Sequence, residues 1–259
     1  MVYRFLLGRR WLGLLAVAVL VAVGCVAMGR WQLHRLGERH DRNDLIGRNV
    51  TAPPVAPGAL LRVGREPRGV DEYRRVRATG SYDRTEQLLV RTRPFQGQVG
   101  YHVLTPLVTE EGPAWLVDRG WVPAGPTATE LPDVPAPPDG TVTVVARVRP
   151  SEPASTTGTP PAGQVTRISA PTIAPRLPYD VYGGYGQLTR ESPRPGAAPQ
   201  RLPPPEPSEG PHLAYAFQWF VFGALALGGY VLLARREAAD RAAVAAPPEP
   251  VGVAVPRRG

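Results

Sequence analysis

Polar and apolar positions divide the chain into three kinds of segment. Two long runs, 11–29 ("WLGLLAVAVLVAVGCVAMG") and 213–234, are apolar and carry no charge. Each can cross a hydrocarbon core of roughly 30 Å at about 1.5 Å per residue. In lipid such a run has to be helical, because no water is present to satisfy its backbone groups. Between the two runs the pattern shortens towards period two. It predicts strands over 73–80 ("YRRVRATG"), 86–93, 100–108, 114–122 and 141–149, with weaker candidates at 164–169 and 185–191. Gly80, Pro94, Gly97, "EEGP" and "PPDG" supply the turns between them. The third kind of segment is Pro-rich: 193–211 reads as an extended tether, and the tail after Arg241 as disordered.

The predicted fold class is therefore a membrane protein with two transmembrane α-helices enclosing an extracytoplasmic, mainly antiparallel β domain, a small barrel or a sheet. The expected divisions are an N-terminus over 1–10, a first span over 11–29 and a juxtamembrane segment and linker over 30–72. The β domain over 73–191 follows, then the tether over 192–211, a second span over 212–234 and a tail over 235–259. Alanines and glycines four residues apart, Ala18/Ala22 and Ala224/Gly228, would let the two helices approach closely. The plainer reading of both pairs is ordinary lipid-facing composition.

Arginines next to the spans bear on orientation. Arg4, Arg9 and Arg10 precede the first, and Arg235, Arg236 and Arg241 follow the second. This favours both termini in the cytoplasm. Arg30, Arg35, Arg39 and Arg42 on the other flank nearly balance the signal, but a long intervening segment translocates largely regardless of its charge. "AVGC" before Cys25 is a weak match to a lipoprotein processing site, because Ala22 stands where Leu is favoured and the apolar run continues past Cys25. With little chain ahead of the first span for a transit peptide, a bacterial plasma membrane is the expected location.

Composition removes several function classes. All 30 basic residues are Arg, and with 32 Pro and 28 Gly the net charge of +8 reflects a GC-rich genome more than a nucleic-acid surface. No arginine cluster is interleaved with aromatics, so no nucleic-acid partner is expected. The lone cysteine excludes an intrachain disulfide and a cysteine metal site. No nucleophile elbow, phosphate loop or dinucleotide fingerprint occurs, and no catalytic residue is assigned. "VDRGWVP" (117–123) gathers Asp118, Arg119 and Trp121 at a strand end, where they could meet a partner. The alternative is structural: an Asp118–Arg119 pair and a packed tryptophan.

At 100° per residue, His212, Tyr215, Trp219, Gly223, Ala226 and Tyr230 share one stripe of the second helix. The outer end of the first span, "GRWQLHRL" (29–36), would lie at the same membrane surface and bring His34, Arg30 and Arg35 towards His212. Imidazole ligates haem iron and arginine pairs with carboxylates such as haem propionates. The competing explanation is that His, Trp and Tyr settle at the headgroup level in many membrane proteins.

Four stretches together resemble the surfeit locus protein one family: "GRWQLHRL", "RTRPFQGQVGYHVLTPL" (91–107), "WLVDRGWVP" (115–123) and "HLAYAFQWF" (212–220). They occur in the family's order and span nearly the whole chain. The resemblance implies two spans around an extracytoplasmic β domain and a role as an assembly factor for haem–copper cytochrome c oxidase, with oxidase subunits and the bilayer as partners. It implies that haem a is bound transiently, and the family's haem-implicated histidine maps onto His212. Pro211 stands where relatives often carry Asn, which affects the hydrogen bonding around His212. Three readings follow: a haem-delivering assembly factor; a haem-free scaffold that stabilises oxidase subunits; and a membrane enzyme using Asp118 and Arg119, disfavoured because no acid–base pair or activated nucleophile accompanies them. The expected cofactor-binding set is His212 (as haem-iron ligand), Tyr215, Trp219, His34 and Arg30.

Overall fold

The computed structural model describes residues 3–125, 130–154, 158 and 160–245. It divides into a helical unit, formed by the chain up to Asp41 and from Ser208, and a second unit over Arg42–Pro207.

The helical unit contains most of α1 (Arg9–Thr51) and all of α2 (His212–Ala245). Both helices are long and apolar enough to cross a membrane. They run antiparallel along a seam spaced in threes and fours. On α1 the buried positions are Trp11, Ala18, Ala22, Cys25, Gly29 and Gln32; on α2 they are Ala216, Gly223, Ala234 and Ala238. Small residues set the spacing. A Cβ on Gly29 would sit 2.7 Å from the Phe220 ring, and one on Gly223 would sit 3.3 Å from the Cys25 Cβ. The Ala18/Ala22 pair thus lies in the seam, whereas Ala224 and Gly228 face outwards. Bulky aliphatics such as Leu20, Leu225 and Leu233 are exposed, as on a lipid-facing surface. At the Trp11 end, Trp11 packs edge-on against both Tyr230 (5.9 Å) and Phe5 (5.1 Å).

Both helices outrun their apolar patterns. Past Gly29, α1 continues as a polar helix carrying an Arg35–Glu38 pair at 2.7 Å, and it stops at Thr51, just before Pro53 and Pro54. Its C-terminal stretch belongs to the second unit. There Asn49 donates to the carbonyls of Val70 (2.8 Å) and Glu72 (2.7 Å), and Arg42 donates to the Tyr73 hydroxyl. Helix α2 covers the start of the predicted tail as far as Ala245. The remainder, 246–259, lies outside the described residues.

The second unit is a closed barrel of five strands with two appended. Its strands are β1 (Arg75–Tyr82), β2 (Leu88–Val90), β3 (Gly100–Thr109), β4 (Ala114–Pro123), β5 (Thr141–Arg149), β6 (Gln164–Val165) and β7 (Tyr185–Ser192). The closed order is β1-β5-β7-β4-β3, with β3 returning to β1. All neighbours in this ring are antiparallel except β4 and β7, so the domain is a mixed barrel. Closure removes the free edges a small sheet would expose. Alternating side chains fill the interior: Val76 and Ala78 of β1, Leu107 of β3, Trp115 and Val117 of β4, Val144 and Ala146 of β5 and Leu188 of β7. A second core lies on the outer side of β3 and β4, where Val90, Leu104 and Leu116 meet Val165, Ile168, Ile173 and Val181. That double burial explains why β4 is buried from Ala114 to Val122.

Three of the clearly patterned strands keep their expected ranges to within a residue. The strand expected over 86–93 shrinks to Leu88–Val90 because Thr92 takes a left-handed φ of 58°, where a β-branched residue rarely sits. Tyr73, with φ 66°, likewise delays β1 to Arg75.

The stretch after β7 is irregular, but its first half is not free. Gln200 exchanges two backbone hydrogen bonds of 2.8 Å with Trp121, and Arg147 donates to the carbonyls of Leu202 and Pro203. Pro199–Pro203 is thus a strap across the barrel unit.

Candidate functional site

The aromatic stripe of α2 has two different ends. Tyr230 is engaged with Trp11 and serves helix packing. At the other end His212 is half-buried, and its Nδ1 lies 2.8 Å from Oε1 of Gln32 on α1. Gln32 is only 9% exposed, a buried amide in an otherwise apolar seam. Buried amides are retained where they have a partner, and His212 is that partner. Trp219, two turns further along α2, is half-buried and packs edge-on against Phe222 at 6.0 Å. Tyr215 lies off the seam and is exposed.

His34 and Arg30 flank Gln32 at two residues on either side, which places both about 200° around α1 from it. Both are exposed. The His34 ring lies 3.4 Å from Glu38 on its own helix. The structure therefore does not bring His34 to His212; Gln32 occupies the place that proximity in "GRWQLHRL" suggested for a second imidazole. Arg35 stacks over Trp31 at 5.8 Å, and His40 meets Glu209 at 3.1 Å. Among the described residues no group of three metal-ligating side chains occurs.

The stretch 117–123 forms the end of β4. Asp118 and Arg119 point apart, as neighbours on a strand do, so they do not pair with each other. Asp118 accepts from the Gly120 N–H and lies 3.0 Å from His102 Nδ1, off the axis of a well-formed hydrogen bond. Arg119 falls at a bulge between β3 and β4. Its guanidinium lies 5.5 Å over the Tyr82 ring and donates to Pro135 O at 3.0 Å, while Nε and Nη2 have no hydrogen-bond partner among the described residues. Burial pulls the Arg119 pKa down. Burial, and then the charge of Glu191, push the Tyr82 hydroxyl up. Glu191 is paired with Arg201 of the strap, and Arg201 also donates to Arg119 O. Trp121 donates Nε1–H to Arg93 O at 2.7 Å and packs on Phe95. Asp118, Arg119 and Trp121 are 1%, 0% and 5% exposed. They are internal to the barrel unit, so a partner cannot touch them at its surface.

The model of the SURF1 family matches residues 19–224, a stretch that takes in α1 from Val19 onward, the barrel and the His212 end of α2. The chain belongs to the SURF1 family. Proteins of Mycobacterium tuberculosis and Mycobacterium bovis described as uncharacterized SURF1-like proteins are 35% identical to it over 252 residues, covering 94% of this chain and 91% of theirs. The cytochrome oxidase assembly protein SHY1 of Saccharomyces cerevisiae is 32% identical over 128 residues, covering 48% of this chain and 32% of SHY1. Membership of the SURF1 family and the two long apolar helices agree with a membrane protein.

Sequence reasoning missed Gln32, His102, Glu191 and Arg201. Gln32 carried a usable signal: it is the one polar residue that continues the seam register of Ala22, Cys25 and Gly29. Glu191 and Arg201 carried none, since their contacts depend on how the strap crosses the barrel.

Proposed function

We propose that this SURF1-family protein is an assembly factor for haem–copper cytochrome c oxidase, resident in a bacterial plasma membrane with both termini cytoplasmic and the barrel outside. It takes up haem a as cargo, holds it transiently through His212 and passes it to the haem-bearing oxidase subunit; it is not an enzyme. One observation carries the haem reading: an imidazole at the head of α2 with one nitrogen already engaged by a buried amide. Ligating histidines characteristically have their second nitrogen held in this way. The neighbouring residues suit an amphiphilic macrocycle. Trp219 and the exposed Tyr215 offer apolar faces; Arg30 is not among these neighbours, since it lies on the far side of α1 from Gln32. The link to oxidase assembly comes from the likeness to SHY1.

The deciding experiment is purification of the tagged protein from native membranes, with detection of co-purifying oxidase subunits and a reduced-minus-oxidised haem spectrum. Oxidase subunits together with a haem a spectrum are expected. Subunits without haem would replace the delivery reading by that of a haem-free scaffold, and absence of both would remove the oxidase reading.

A further inference from the structure

We infer that Gln32 is a positioning residue that fixes His212 in its Nδ1–H tautomer and makes Nε2 the nitrogen offered to a ligand iron. The ligand part rests on the haem reading above; the tautomer part does not.

A neutral imidazole has one donor nitrogen and one acceptor nitrogen, and the hydrogen bond on one decides the state of the other. His212 Nδ1 faces the amide oxygen of Gln32 at 2.8 Å. An amide oxygen only accepts, so Nδ1 must carry the proton and the lone pair falls on Nε2. Gln32 is well placed to enforce this. It is buried at a seam position, one turn from Gly29 and two from Cys25.

The other edge of the ring carries a second, independent sign. It faces Gly210, where an added Cβ would lie 3.3 Å from both Cδ2 and Nε2. A residue without a side chain therefore borders the nitrogen that holds the lone pair. Almost any other residue there would crowd an incoming iron. The two neighbours act on opposite edges of the ring, Gln32 orienting it and Gly210 adding no side chain beside Nε2.

The test uses the full chain in detergent micelles, labelled with ¹⁵N-histidine and free of haem. Long-range ¹H–¹⁵N correlation reads the tautomer, and His212→Ala assigns the His212 signals. The wild type should show a protonated Nδ1 and a bare Nε2. Gln32→Leu puts an apolar side chain of similar size in the seam and should return the ring to the Nε2–H form that free imidazole side chains favour. Gln32→Glu keeps an acceptor and should keep the Nδ1–H form. A wild-type ring protonated on Nε2, or identical spectra for wild type and Gln32→Leu, would overturn the inference.

Haem titration then tests the ligand part. Gln32→Leu should bind about 10–100-fold more weakly than wild type, the usual cost of losing a group that orients a ligating histidine, with Gln32→Glu restoring most of the affinity. Wild-type affinity in Gln32→Leu, with binding still lost in His212→Ala, would sink the positioning role and leave the haem reading standing. Failure of the wild type to bind haem would remove the haem reading and the ligand role of Nε2 together, and the tautomer would then describe packing alone.

Discussion

Replacing Gly120 by Val adds a branched side chain where the end of β4 lies directly against the strap. The backbone there has φ 133°, a region that L-residues avoid, and an added Cβ would lie 2.4 Å from the Gln200 carbonyl oxygen and 3.0 Å from its carbon. Neither atom is the end of a flexible side chain, so the strap itself has to move. Holding a non-glycine residue in such a conformation costs about 1–3 kcal/mol. Displacing the strap also breaks the two 2.8 Å backbone bonds between Gln200 and Trp121, each worth about 0.5–1.5 kcal/mol net. The variant should lose about 2–6 kcal/mol in all, a large part of the roughly 5–15 kcal/mol that holds a typical domain together. In a domain of this size that corresponds to a fall of about 4–24 °C in the unfolding midpoint, with a several-fold drop in cellular abundance. Thermal unfolding of the purified protein in detergent and immunoblotting of membranes measure the two effects. Wild-type abundance and midpoint in Gly120→Val, combined with failed oxidase assembly, would refute the packing explanation and make this rim a contact site.

His212→Ala should leave the protein inserted and close to its normal abundance while removing most bound haem and lowering mature oxidase; the exposed His34, replaced by Ala, should change neither, and equal losses in both variants would show two-sided ligation. A glutamate-specific protease added to intact spheroplasts should cut after Glu209, which is exposed just beyond the strap; protection of that bond would reverse the proposed orientation. The Glu152 carboxyl is raised by burial but pulled lower overall by the Arg93 guanidinium and the Ile168 N–H, ending below its ordinary value of 4.5. A depressed folded-state pKa contributes stability above the unfolded value and loses it as pH falls through the folded one. Glu152→Gln should therefore lower the unfolding midpoint at pH 7, and the gap to wild type should close as the pH is taken below 4.5; a gap that stays constant through acid would contradict the ion pair.

The chain sequence by itself determines those features that depend on neighbours along the chain. Two uninterrupted apolar runs have to be helical in lipid, and short apolar segments bounded by turn residues locate β3, β4 and β5 to within a residue. The number of short strands and the turns between them give a mainly antiparallel β domain and leave barrel and sheet both open; closure of β3 on β1 and the parallel pairing of β4 with β7 are tertiary. What the tertiary structure decides is everything that links distant positions. Two pairs of small residues look alike in sequence, yet Ala18/Ala22 enters the helix seam and Ala224/Gly228 does not, because the rotation of each helix is set by the partner it packs on. Asp118 and Arg119 are adjacent and opposite in charge, yet the pleat turns them to different neighbours, His102 and Tyr82. His34 is the residue that chemistry singles out near the first span, whereas the seam register selects Gln32 two positions earlier and 180 residues from His212. The backbone of Gly120 is specified by the strap that crosses it, and a strap built from prolines has no periodicity to announce where it lands.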